Sequence, residues 1–126
     1  MALFQRGDFT LHSGERSSFL INCTALTQDD LAALAALAAS RLGPFGPVLG
    51  VPRGGLRFAA ALRAHARADS TVTLLADDVY TTGASLAAVR AQHPAAIGVV
   101  LFARRPPPPW ITPLFVMAGA YDTGTG

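Results

Sequence analysis

The chain has 126 residues, which is enough for a single domain with a substantial hydrophobic core. Hydrophobic residues make up 51% of it, but no unbroken apolar run approaches membrane-spanning length, which argues against a membrane protein. The formal net charge is only +2, and the absence of a dense basic cluster with interleaved aromatics argues against nucleic-acid binding. Because Cys23 is the single cysteine and positions 1–8 show no signal-like pattern, we expect a reduced, cytoplasmic protein with Cys23 in its core.

The first half of the core predicts two helices separated by a strand. Positions 27–30 form an approximate capping box, and leucines at helical spacing follow until Gly43-Pro44 ends the helix. Residues 48–51 form a short apolar run typical of a buried strand. After a turn at 52–55, the pattern predicts a second helix over 56–68.

The second half alternates in the same way. It predicts a strand over 71–76, a helix over 84–92 and further strands over 97–102 and 114–117, with the prolines at 106–109 as a stiff connector. Strands alternating with helices indicate the α/β class. We therefore expect one domain, residues 1–126, with a mostly parallel sheet of about four core strands flanked by helices.

The stretch from Leu74 to Ser85 is the strongest functional signal. It joins an apolar strand, two adjacent carboxylates and a hydroxyl- and glycine-rich turn that opens a helix. Backbone N–H groups at such a turn stabilise an anion, and Gly83 permits a close approach. Asp77 and Asp78 lie at the carboxyl end of the strand, where open α/β sheets bind ligands. The pattern predicts a site for a phosphorylated sugar, and an ordinary polar helix cap is the alternative.

This stretch resembles the signature by which type I phosphoribosyltransferases hold 5-phosphoribosyl-1-pyrophosphate (PRPP). The stretch from Gly50 to Leu56 resembles the pyrophosphate loop of the same family, although a Pro-Arg-Gly-Gly sequence on its own is merely a turn. The resemblance implies that Asp77 and Asp78 are catalytic. The residues it implies for the ribose 5-phosphate are Thr81, Thr82, Gly83, Ala84 and Ser85, and those for the pyrophosphate are Pro52, Arg53, Gly54 and Gly55.

The segment from Phe9 to Asn22 is similar to the N-terminal segment of orotate phosphoribosyltransferases, which forms part of a hood over the base. The resemblance implies base contacts from His12, Leu20 and Ile21, although His12 replaces a lysine and the other two replace aromatics. Arg105 aligns with the family's arginine for the substrate carboxylate, with a solvated surface charge as the alternative. The domain then divides into a hood at 1–26, a core at 27–121 and a flexible tail at 122–126.

One large piece of the family pattern is missing. Family members carry a further strand and a long mobile catalytic loop between the second helix and the ribose-phosphate strand, whereas only the four residues 67–70 stand here. Loss of such a loop exposes the reacting centre to water and removes cations from the leaving group.

Two functions therefore remain open. The first is an orotate phosphoribosyltransferase-like enzyme of pyrimidine nucleotide biosynthesis, which binds PRPP with Mg²⁺ held through substrate and water and transfers the phosphoribosyl group to an orotate-like base. The second is a non-catalytic module that binds PRPP or a nucleotide, or regulates a partner. The complete set of ligand-contacting motifs favours the enzyme. The resemblance also implies that the chain forms a homodimer and that its other binding partners are its small-molecule substrates.

Overall fold

The computed structural model describes residues 2–10 and 16–117 of the chain. It contains a two-stranded antiparallel hairpin and a separate four-stranded sheet in which every neighbouring pair is parallel. The strands are β1 (Phe4–Thr10) and β2 (Arg16–Ile21) of the hairpin, and β3 (Val48–Gly50), β4 (Leu74–Tyr80), β5 (Ile97–Ala103) and β6 (Ile111–Val116) of the sheet, in the spatial order β3-β4-β5-β6. The predicted α/β class and the four-stranded parallel sheet are therefore confirmed.

Three helices complete the core: α1 (Gln28–Arg41), α2 (Gly55–Leu62) and α3 (Ala84–Arg90). The capping box at the start of α1 is present, because Asp30 N donates to Thr27 Oγ1 at 3.0 Å and Thr27 N donates to Asp30 Oδ2 at 2.8 Å. These two bonds satisfy backbone donors that would otherwise have no partner within the helix.

The helices cover opposite faces of the parallel sheet. Leu74 and Ala76 of β4 pack with α1 and α2 in the larger core cluster, whereas Leu75 packs with Leu86 of α3 in the smaller one. Successive residues of a strand point to opposite faces, so this alternation places α3 across the sheet from α1 and α2. The buried sheet holds the carboxyl ends of β3, β4 and β5 in line at one edge.

Several predicted boundaries were wrong. Helix α2 ends at Leu62 rather than at 68, because the following residues leave the helix and bond to the 45–46 segment. Strand β4 begins at Leu74 and continues through Tyr80, since its pairing with β5 extends to Tyr80↔Ala103. Strand β6 begins at 111, where its pairing with Gly98 starts. Residues 106–109 join β5 to β6 as predicted.

Within the described residues, no helix is both long enough and apolar enough to cross a bilayer.

Candidate functional site

A cleft of about 850 Å³ opens at the carboxyl edge of the parallel sheet. Four parts of the chain line it: residues 21–24 after the hairpin, 52–54 after β3, 77–86 at the end of β4, and Arg104 after β5. Parallel strands bring all their carboxyl ends to one edge, which is why segments so distant in sequence meet here.

The predicted phosphate turn forms one end of this cleft, and all five of its residues line it. Gly83 has φ +80° and ψ 7°, a left-handed conformation that favours glycine. A Cβ at this position would also lie 2.6 Å from Cε2 of Tyr80, so both the backbone and the packing require glycine. Thr82 Oγ1 accepts from Ala84 N at 3.3 Å, and the side chains of Thr82 and Ser85 are exposed to the cleft.

The acidic pair occupies the middle of the cleft floor. Asp78 N donates to Asp77 Oδ1 at 2.8 Å, and Val79 N donates to Asp78 Oδ1 at 2.7 Å. Burial, followed by the hydrogen bond and negative charge of Asp78, raises the pKa of Asp77 from 3.8 to about 8. Near neutral pH Asp77 therefore retains its proton and can donate a hydrogen bond.

The loop after β3 closes tightly against the acidic pair. Gly55 N donates to Val51 O at 2.9 Å, and the peptide bond between Pro52 and Arg53 is cis. A Cβ on Gly54 would overlap the Asp78 carboxylate. Pro52, Arg53 and Gly54 line the cleft, whereas Gly55 lies behind the lining, where a Cβ would overlap Ala76 O.

The segment that follows the hairpin forms the opposite wall. Ile21 is buried and lines the cleft together with Asn22, Cys23 and Thr24. Cys23 is half-buried and packs against the larger core cluster, and burial together with the charges of Asp78 and Asp77 raises its pKa from 9.0 to about 12. This electrostatic influence places the segment near the acidic pair.

Two of the predicted base contacts are not tested by this geometry. His12 and the side chain of Leu20 lie outside the described residues. Sequence reasoning also missed Asn22, Thr24 and Tyr80, which line the cleft. Their positions next to the hood segment and between the acidic pair and the phosphate turn were the available signals.

Arg104, rather than the predicted Arg105, lines the cleft. The main chain of Arg104 continues the end of the sheet, since its N–H donates to Tyr80 O at 2.9 Å, and the residue is 3% exposed. The predicted contact between Arg105 and the substrate carboxylate stays a prediction, since Arg105 is not among the residues that line the cleft and no ligand contact tests it.

The connection between α2 and β4 is short and fixed. Arg67 N donates to Phe45 O and Gly46 N donates to Val72 O, both at 2.8 Å. Gly46 permits this contact, because a Cβ there would overlap Ser70 O. Residues 63–73 contain one turn of 3₁₀ helix and no strand, so the family's additional strand and mobile loop are absent from this connection.

The described residues include no group of three or more His, Cys, Asp or Glu side chains that could hold a metal ion directly. Mg²⁺ usually keeps several waters and binds substrate phosphates, and the carboxyl oxygens of Asp77 and Asp78 can accept hydrogen bonds from those waters. The cleft therefore fits a Mg²⁺ ion that arrives with a phosphorylated substrate.

Comparison with solved structures identifies the fold. Orotate phosphoribosyltransferase from Aeropyrum pernix superposes with a TM-score of 0.67 at 22% identity, covering 98% of this chain and 94% of that one. The enzyme from Mycobacterium tuberculosis H37Rv, crystallised with Fe(III) dicitrate, gives 0.64 at 16% identity, covering 91% and 90%. UMP synthase of Leishmania donovani gives 0.67 at 18% identity, covering 91% of this chain and 33% of that one.

No protein-family model matches the chain, and the comparison with curated proteins finds no match. The superpositions with solved structures nevertheless show that the chain has the type I phosphoribosyltransferase fold. Within that class, the structures that it resembles are orotate phosphoribosyltransferases and a UMP synthase.

Proposed function

We propose that the chain binds the 5-phosphoribosyl group of PRPP in this cleft and transfers it to an orotate-like nucleobase. The observation that carries the proposal is the convergence of three predicted motifs on one cleft: the loop at 52–54, the acidic pair, and the turn at 81–85. The turn offers hydroxyls and backbone donors to the 5-phosphate, the acidic pair faces the ribose, and Arg53 faces the pyrophosphate.

In the proposed reaction, a ring nitrogen of the base attacks C1 of the ribose. The bond between C1 and the pyrophosphate oxygen breaks, the bonding electrons leave with pyrophosphate, and the attacking nitrogen loses its proton to solvent. Positive charge develops on the sugar in the transition state, and the side chain of Asp78 stabilises it. Asp77 holds a proton near neutral pH and donates to a ribose hydroxyl, which fixes the sugar beneath the base.

Magnesium, when bound with PRPP, would neutralise charge on the leaving pyrophosphate. Substrate oxygens and water would hold it, and the carboxyl oxygens of Asp77 and Asp78 would accept hydrogen bonds from that water.

A second candidate function is a binding module that has kept the ligand cleft and lost turnover. The fixed connection at 63–73 favours it, because that segment is bonded to residues 45–47 and does not reach over the pyrophosphate loop. Removal of water-excluding and charge-stabilising groups lowers the chemical rate while leaving ground-state binding largely intact.

The experiment that separates the two functions measures pyrophosphate release. The protein is incubated with magnesium PRPP and orotate, uracil or hypoxanthine, alongside Asp78→Asn and Thr82→Ala. The enzyme predicts release that depends on the base and falls at least about 100-fold in Asp78→Asn, since a transition-state charge is then uncompensated.

Calorimetric titration with PRPP completes the test. PRPP binding without release, weakened in Thr82→Ala, favours the binding module and refutes the enzyme. If PRPP does not bind at all, both functions fail. Arg63→Ala serves as a control, since Arg63 donates to Val48 O at 2.9 Å and is not part of the cleft.

We also propose a cytoplasmic homodimer, as the resemblance to the orotate enzymes implies. Sedimentation equilibrium across a protein concentration series tests the assembly. A mass of about 13.1 kDa at all concentrations would contradict it.

A further inference from the structure

The side chain of Asn22 is held in one orientation on the wall of the cleft. Its Oδ1 accepts two hydrogen bonds from Thr24, one from the backbone N–H at 3.2 Å and one from the hydroxyl at 2.5 Å. The start of the same turn is fixed because Asn22 N donates to Leu3 O at 2.6 Å. The amide is therefore anchored through its oxygen and through its own backbone.

This arrangement removes the usual ambiguity between the two ends of an asparagine amide. The Thr24 backbone N–H can only donate, so the atom that faces it must be the acceptor oxygen. The NH₂ group then projects from the opposite side of the amide, and no hydrogen bond of residues 2–10 and 16–117 uses it as a donor. Asn22 is partly exposed and lines the cleft, so it presents two N–H donors there.

A nucleotide in the proposed orientation brings its base to this wall. With the phosphate in the 81–85 turn and the ribose over the acidic pair, the base extends away from the turn. Cys23 lies near the acidic pair, whose charges raise its pKa, and Asn22 precedes it in the same lining segment. Ile21, buried beside them, offers an apolar surface. The edge of the base remote from the ribose therefore meets the amide donors.

We propose that Asn22 is a specificity-determining residue that selects bases with a carbonyl oxygen, rather than an amino group, on the edge remote from the ribose. The inference rests on the proposed binding of a 5-phosphoribosyl ligand and adds the class of base to it. A carbonyl accepts the N–H donors, whereas an amino group places donor against donor and leaves both without a partner.

The test compares uridine and cytidine 5′-monophosphate, which differ at position 4 of the base and in protonation of the adjoining nitrogen. Calorimetric dissociation constants are measured for both nucleotides and for ribose 5-phosphate. We expect the uridine nucleotide to bind about tenfold more tightly or better, since each unmatched donor is costly once desolvated. Hypoxanthine and adenine nucleotides provide a second oxo–amino pair with the same expectation.

Asn22→Asp is the decisive variant. A carboxylate oxygen still accepts both bonds from Thr24, and Asp is an equally good N-cap, so the turn is preserved while the two donors become an acceptor. The ratio of the two affinities should fall at least tenfold, to parity or inversion. Both nucleotides carry the same phosphate charge, so added repulsion from the new carboxylate cancels in that ratio.

The possible outcomes separate the two claims. If the wild type binds the uridine and cytidine nucleotides equally, or if the ratio of their affinities is unchanged in Asn22→Asp, the role of Asn22 is overturned. Binding of ribose 5-phosphate in the same experiment would still support the proposed function. If ribose 5-phosphate and both nucleotides fail to bind, the proposed function falls and the inference falls with it.

Discussion

Replacing Gly54 with alanine perturbs the acidic pair without changing either aspartate. Gly54 has φ −64° and ψ −26°, a helical conformation that alanine adopts readily, so the backbone imposes no penalty. The added Cβ, however, would overlap the carboxylate of Asp78 and lie 2.5 Å from its Cγ and 2.8 Å from its Oδ1. The carboxylate must then move, because the loop is fixed by the bond from Gly55 N to Val51 O.

The magnitude follows from the hydrogen bonds at stake. A hydrogen bond to an ionised group contributes about 1.5–3 kcal/mol, so losing one bond between Asp78 and a ribose hydroxyl weakens ligand binding by roughly 10- to 100-fold. The assay is calorimetric titration of wild type and Gly54→Ala with ribose 5-phosphate. Urea unfolding of both proteins separates loss of binding from loss of fold.

Gly43→Ala is the matched control. Nothing lies within 4 Å of the Cβ that alanine would add there, and Gly43 is exposed outside the cleft. The control should bind ribose 5-phosphate as the wild type does. If Gly54→Ala binds as tightly as Gly43→Ala, Asp78 does not hold the ribose and the proposed geometry is refuted.

Three further predictions concern the acidic pair, the thiol and the first helix. The folded protein retains a proton on Asp77 up to about pH 8, whereas the unfolded chain loses it near 3.8, so unfolding free energy should fall as pH rises through that window. Urea denaturation should give the wild type an unfolding free energy that is lower at pH 8 than at pH 5 by an amount on the order of a few kcal/mol, and Asp77→Asn should abolish this difference. The same difference in both proteins would contradict the raised pKa of Asp77. Because the pKa of Cys23 rises from 9.0 to about 12, its thiolate fraction at pH 8 should be about 1000-fold lower than that of an ordinary thiol. Alkylation of Cys23 by iodoacetamide, followed by mass spectrometry, should therefore be correspondingly slow. The reaction should be faster in Asp78→Asn, because one of the charges that raise the pKa is removed. Thr27→Ala should lower the unfolding free energy by about 1 kcal/mol through loss of the cap on α1, measured by urea unfolding, and an unchanged midpoint would mean that the cap is compensated.

Local sequence patterns predicted most of the fold, since they act through local physics. The capping box at 27–30, the apolar run at 48–51 and the turn at 81–85 each depend on neighbours a few residues away. Strand β4 was misplaced because its end is set by pairing with β5, and α2 was overextended because Arg67 bonds to Phe45, 22 residues earlier. Such long-range competition leaves no local signal.

The candidate site shows the same division. The motifs at 52–55 and 77–85 were readable, because glycine, hydroxyl and carboxylate at fixed spacing have a direct chemical meaning. Arg104 lines the cleft directly after the end of β5, a contribution that sequence reasoning did not assign to the site. The position of Asn22 at the end of the hood segment was readable, but its orientation was not, since that depends on bonds to Thr24 that form only in the folded turn.

The most direct test of the phosphoribosyl cleft is a titration of ¹⁵N-labelled protein with ribose 5-phosphate, followed by amide chemical shifts. The account predicts saturable shifts that are largest at Thr82, Gly83, Ala84 and Ser85, with smaller ones at Gly54, and none at the distant Gly43. Thr82→Ala should weaken the response without moving it elsewhere. No saturable shift, or shifts centred outside the cleft, would contradict the central claim.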